Sequence, residues 1–166
     1  IFPSHLEGNI LAAMKKAHPY EEVAYYLHRL ENENQDVGAG MVGQLPKPME
    51  AKAFLSHLKN AMNLKLIKHT KLPEKPIQRV AVCGGAGSFL LRKALGASAD
   101  IFITADYKYH EFFDAEGKII IADIGHYESE IFTKELLADW LTEKFGELPI
   151  HICQSNTNPV EYFMGE

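Results

Sequence analysis

Between residues 79 and 153, short apolar runs alternate strictly with amphipathic segments, and this rhythm constrains the fold more than any other feature of the 166-residue chain. Runs at 79–83, 100–104, 118–123 and 150–153 predict strands; segments 88–95, 107–114 and 128–145 predict helices. Strand and helix in alternation imply a parallel α/β sheet covered by helices, because a parallel crossover needs the length that a helix supplies. In such sheets ligands collect outside the carboxyl ends of the strands. Four clusters fall there: Gly84-Gly85-Ala86-Gly87-Ser88, Thr104-Ala105-Asp106, Gly125-His126 and Gln154-Ser155-Asn156.

The first half has a different order. Residues 6–17 carry Leu6, Ile10, Ala13, Met14 and Ala17 on one helical face, and Pro19 stops that helix by disfavouring helical backbone at His18. Residues 21–30 fit a strand or a helix. Glycines 38, 40 and 43 signal a turn into a strand at 41–45, before a helix at 49–62 and a strand at 64–69. With Ile1-Phe2 as the tail of a further strand, this order is a ferredoxin-like α+β arrangement. The segment 71–77 holds two prolines and three charges, so a domain boundary is expected there, with domains at 1–72 and 73–166.

Charge divides along the same line. Residues 1–71 hold 9 basic against 7 acidic side chains (net +2), and residues 73–166 hold 8 against 15 (net −7). An acidic half argues against a nucleic-acid partner and suits cations, although a solvated acidic surface explains it equally well. No apolar run approaches the roughly 20 residues of a membrane span. Two cysteines, Cys83 and Cys153, are too few for a disulfide framework and point to a reducing cytoplasm. The start at Ile1 suggests that something upstream has been removed.

The candidate chemistry lies in two i, i+4 pairs. His126 and Glu130 share a helix face and could clamp one zinc, iron or manganese ion. The competing reading is helix capping, with carboxylates 128 and 130 at the positive end of the helix and Ser129 assisting. Asp106 and His110 form the second pair: Asp106 is a natural N-cap, His110 a candidate general acid or base, and Lys108 a possible neutraliser of an anionic substrate. The glycine-rich run after residue 83 lacks a dinucleotide fingerprint or P-loop lysine, so it reads as a tight turn before it reads as an anion site. Cys83 reads as packing.

Taken together and in this order, His18-Pro19-Tyr20-Glu21-Glu22, Gly84-Gly85-Ala86-Gly87-Ser88, Thr104 to His110 and Gly125-His126-Tyr127-Glu128-Ser129-Glu130 resemble the Nif-three-like family. Its members are often labelled GTP cyclohydrolase I type 2 homologues. The resemblance implies that residues 1–72 are a PII/CutA-like, trimer-forming domain inserted in a metal-binding core, with residues 21–30 a strand. It implies that residues 73–166 are the carboxyl-terminal half of that core.

By the same resemblance, His126 and Glu130 are metal ligands, and Asp106 and His110 line the same cleft as catalytic residues. The complete subunit would hold two divalent ions, the remaining ligands coming from an amino-terminal half of the same protein that this chain lacks. Ala105 stands where the family usually has glycine. The activity implied is metal-dependent hydrolysis of a nucleotide or other small molecule, in a cytoplasmic homo-oligomer. The alternative is a non-enzymatic regulatory or oligomer-scaffolding protein with a PII-like sensor domain and a structural metal.

Overall fold

The computed structural model describes residues 1–32 and 37–163, and the chain forms two compact units, Ile1–Asp36 and Val37–Glu166. Residues 33–36 and 164–166 of the two expected domains lie outside the described residues.

In the first unit a single 3-10 turn leads into α1 (Glu7–Ala17), which ends at His18 as Pro19 requires; the His18 amide donates to the Met14 carbonyl at 3.0 Å. The Tyr20 amide donates to His18 Nδ1 at 3.2 Å, so the His18-Pro19-Tyr20 turn is formed. The strand that should follow at 21–30 is not: among the described residues nothing between 21 and 32 is helix or strand. A strand exists only where a neighbour completes its ladder. No pairing in this unit appears among the described residues, so the ferredoxin-like arrangement is not seen in it.

In the second unit β1 (Met41–Met49), α2 (Ala51–Ala61), β2 (Lys68–His69), β3 (Ile77–Ala86), α3 (Leu91–Gly96), β4 (Ile101–Ala105), β5 (Ile120–Asp123), α4 (His126–Glu130) and α5 (Thr133–Lys144) follow one another. Among the described residues five strands make one sheet in the order β1-β3-β4-β5-β2. The three central strands are parallel, as the alternation of strand and helix predicts. Both edges are antiparallel: Val42 faces Ala81 and Gly43 faces Val80, while Lys68 faces Asp123 and His69 faces Ala122.

This sheet spans the boundary expected at 72/73, with β1 and β2 before it and β3, β4 and β5 after it. The proline-rich segment 71–77 is a crossover inside one sheet rather than a linker, and the division into compact units falls at 36/37. The sheet corrects the expected strand at 150–153, which is absent among the described residues. The edge of β5 is already taken by β2.

Side-chain alternation sorts the core into two layers. Ile77, Ile101, Ile103, Ile120 and Ala122 pack on Ala51, Phe54 and Leu58 of α2. Ala81, Cys83, Phe102 and Ile121 pack with Leu91 and Ala94 of α3. Burying Phe54 or Leu58 stabilises by about 1.5–3 kcal/mol each. The Glu50 carboxylate caps α2 by accepting from the Ala53 amide at 3.0 Å, and Asn63 in left-handed backbone (φ 51°) ends it. The helix expected at 128–145 is two helices, α4 and α5. No residue of α5 is buried; Leu136, Leu137, Trp140 and Leu141 lie between 43% and 59% exposed.

Candidate functional site

Three parallel strands open on the same side and deliver the site. β3 ends in Gly84-Gly85-Ala86, β4 runs into Asp106, and β5 into Gly125-His126. Thr104 faces Asp123 across the β4–β5 ladder, so the residues just beyond them emerge side by side. Asp106 holds φ 55°, a left-handed conformation that aspartate tolerates better than most residues. Gly125 holds φ 93°, and a Cβ there would collide with the Glu128 carboxylate.

Asp123 ties the two loops together. Its side chain is buried, and its carboxylate accepts from the Tyr107 amide and the Gly125 amide at 3.1 Å each while pairing with Lys68 Nζ at 2.6 Å. A buried carboxylate is costly without such partners.

Asp106 Oδ2 lies 2.6 Å from His126 Nδ1, and His126 Nε2 lies 3.2 Å from Glu130 Oε2, one helical turn on. A carboxylate at Nδ1 fixes the ring and leaves the other nitrogen as the free donor. The Asp106 contact holds the His126 pKa above the ordinary imidazole range; partial desolvation opposes it and the nearby Glu130 charge adds to it. These three side chains line an open cleft of about 920 Å³ together with Lys68, Lys134 and Tyr162. Burial and the Glu128 carboxylate push the Tyr162 phenol up.

The geometry suits one edge of a metal site. Two donors 3.2 Å apart have the spacing of neighbours on one ion, whose bonds to nitrogen and oxygen are about 2.0–2.2 Å. Asp106 stands on the far ring nitrogen, as an orienting carboxylate does. Among the described residues no group of three or more His, Cys, Asp or Glu side chains could hold a metal.

The family signature described as Duf34/NIF3 (NGG1p interacting factor 3) matches residues 7–159. The chain belongs to the Duf34/NIF3 family. A Staphylococcus epidermidis protein named GTP cyclohydrolase 1 type 2 homolog is 33% identical over 165 residues, covering 95% of this chain and 45% of the relative. The structure is similar to that of a Bacillus cereus protein related to NIF3, with TM-score 0.78 and 32% identity over 98% of this chain and 46% of the other. It is also similar to that of a Staphylococcus aureus protein, with TM-score 0.77 and 25% identity over 98% and 47%. The chain thus spans less than half the length of the relatives it matches.

Of the residues that sequence reasoning singled out in this Duf34/NIF3 chain, Asp106, His126 and Glu130 come together and His110 does not. His110 is exposed on the 3-10 helix Tyr109–Ala115, edge-on to Tyr109 at 5.2 Å, and is not among the residues that line the cleft. Lys108 is likewise exposed and not among the cleft-lining residues. Asp106 caps no helix here: the Tyr107 amide goes to Asp123, and the Lys108 amide is taken by Glu111 at 3.1 Å. Ser129 makes no cap either; its hydroxyl donates to the His126 carbonyl at 2.8 Å and accepts from the Gly85 amide at 2.8 Å. Burial, then the Glu130 charge, pushes the Cys83 thiol up, in keeping with packing. Asp123 and Lys68 escaped sequence reasoning. The one available signal was a charge at the end of an otherwise apolar strand.

Proposed function

We propose that this Duf34/NIF3 chain contributes one side of a divalent-metal site in a hydrolase. The observation that supports this reading best is the line Asp106–His126–Glu130, with contacts of 2.6 and 3.2 Å at the two ring nitrogens. His126 Nε2 and Glu130 Oε2 would hold the ion, and Asp106 would keep the proton on Nδ1. A bound divalent ion supplies Lewis-acid polarisation and lowers the pKa of water. Lys134, which lines the cleft, would attract an anionic substrate. The name GTP cyclohydrolase 1 type 2 homolog, carried by the S. epidermidis relative, makes a nucleotide the substrate class to try first.

An amino-terminal half of a longer protein would bring the remaining donors and cover the exposed apolar face of α5. Two donors alone leave an ion mostly hydrated, since catalytic zinc takes three protein ligands. This chain by itself should bind zinc or manganese weakly and hydrolyse no nucleotide. The test is a titration with each metal at neutral pH beside a His126→Ala control. Tight stoichiometric binding that the substitution abolishes would place a complete site in this chain and overturn the shared site. Assembly through the first unit belongs to the same reading: light scattering should show an oligomer, and a monomer at high concentration would oppose it.

A further inference from the structure

We propose that Gly85 and Ser129 are positioning residues that set the spacing of the His126 and Glu130 donors; this rests on the metal reading of the site. Gly85 lies in the slip of register between Val82 and Ala86, where β3 leaves its ladder with β4. Its backbone is pinned on both sides: the amide donates to Ser129 Oγ at 2.8 Å, and the carbonyl accepts from Thr104 Oγ1 at 3.0 Å. Thr104 is fully buried, so one end of this clasp is anchored in the sheet. The other end is the first turn of α4, because the Ser129 hydroxyl also donates to the His126 carbonyl at 2.8 Å.

The clasp brings the bare Cα of Gly85 against the donors. A Cβ built there would lie 2.5 Å from Glu130 Oε1 and 3.2 Å from His126 Cε1, and φ at Gly85 is +62°. Any side chain would push the carboxylate off its present place, besides straining the backbone. The glycine run is thus a wall with one missing atom, and that gap seats the Glu130 carboxylate beside the imidazole. α4 has only five residues and would hold its donors loosely without such a tie.

The test titrates this chain with cobalt(II) as the probe, read by the paramagnetic shifts of amide signals around α4. Ser129→Ala should weaken cobalt binding at least tenfold, the cost of removing an outer support of a metal ligand. Ser129→Thr, which keeps the hydroxyl, should restore it, and Gly85→Ala should weaken it as Ser129→Ala does. Amide hydrogen exchange at Gly85 should accelerate in Ser129→Ala with or without metal. Affinity within twofold of the parent in Ser129→Ala, while His126→Ala abolishes binding, would overturn the clasp and leave the metal reading intact. Unchanged exchange at Gly85 would overturn it as well. Binding unaffected by His126→Ala and Glu130→Gln would instead overturn the metal reading itself. If Gly85→Ala does not fold, Ser129→Ala decides.

Discussion

Asp106 and His126 are 20 residues apart in the chain and 2.6 Å apart in space, because each follows one of two adjacent parallel strands. That contact selects which imidazole nitrogen faces Glu130. Asp106→Asn removes the anionic acceptor while keeping a residue that tolerates positive φ. We expect zinc affinity to fall about 10–100-fold with little change in thermal unfolding. Calorimetric titration of the two chains side by side checks this, and equal affinities would remove Asp106 from the site.

Glu130 is half-exposed on α4, so Glu130→Gln should cost metal binding and not the fold. Its effect on unfolding should stay within about 0.5 kcal/mol, the range of surface substitutions. Metal per subunit and the unfolding midpoint are to be compared. Full occupancy in the variant would reject Glu130 as a ligand, and collapse of the fold would make its role structural.

Asp123 should behave in the opposite way. Asp123→Ala leaves the Tyr107 and Gly125 amides without their acceptor and Lys68 without its partner. The loss should be about 2–3 kcal/mol, because Lys68 is half-exposed and can return to water while the two amides have lost their shared acceptor. Urea unfolding measures it. A loss below about 0.5 kcal/mol would show that the loops after β4 and β5 do not depend on this carboxylate.

Asp100 carries a pH dependence of stability. Its burial would raise the pKa, but the Arg79 amide at 2.8 Å, Lys75 Nζ at 2.6 Å and the Gln78 amide at 2.9 Å outweigh that and hold it below the usual carboxylate range. A folded pKa below the unfolded value of about 3.9 means that the contribution is complete above pH 4 and disappears as pH falls through the folded value. The stability gap between parent and Asp100→Asn should therefore be widest near neutrality and shrink in acid. A gap that stays constant down to about pH 2 would contradict the assignment.

Period and punctuation made the centre of the fold legible. Ile101 to Ala105 is buried at every position and apolar at all but Thr104 because both faces of β4 are covered, and a central parallel strand can be read from that pattern. α1 stopping at His18 and α2 beginning after Glu50 are local events of proline and capping. His126 and Glu130 were legible for the same reason, since four residues of helix set their approach.

Non-local pairing was not legible. Residues 21–30 have strand composition, yet no ladder forms on them among the described residues, while the proline-bearing Met41–Met49 does pair, with β3. A strand's partner is a property of the assembled sheet, and for the same reason one sheet takes strands from both sides of 72/73. Asp106 looked like a cap for its own helix because sequence sees neighbours in the chain. The β4–β5 register brought it instead to an imidazole 20 residues away, and a contact across that distance exists only once the sheet has closed. The amino-acid order by itself determined where strands and helices propagate, through periodicity and local capping; the packed sheet alone decided which charged groups meet, because hydrogen bonds and ion pairs between strands depend on register rather than on spacing along the chain.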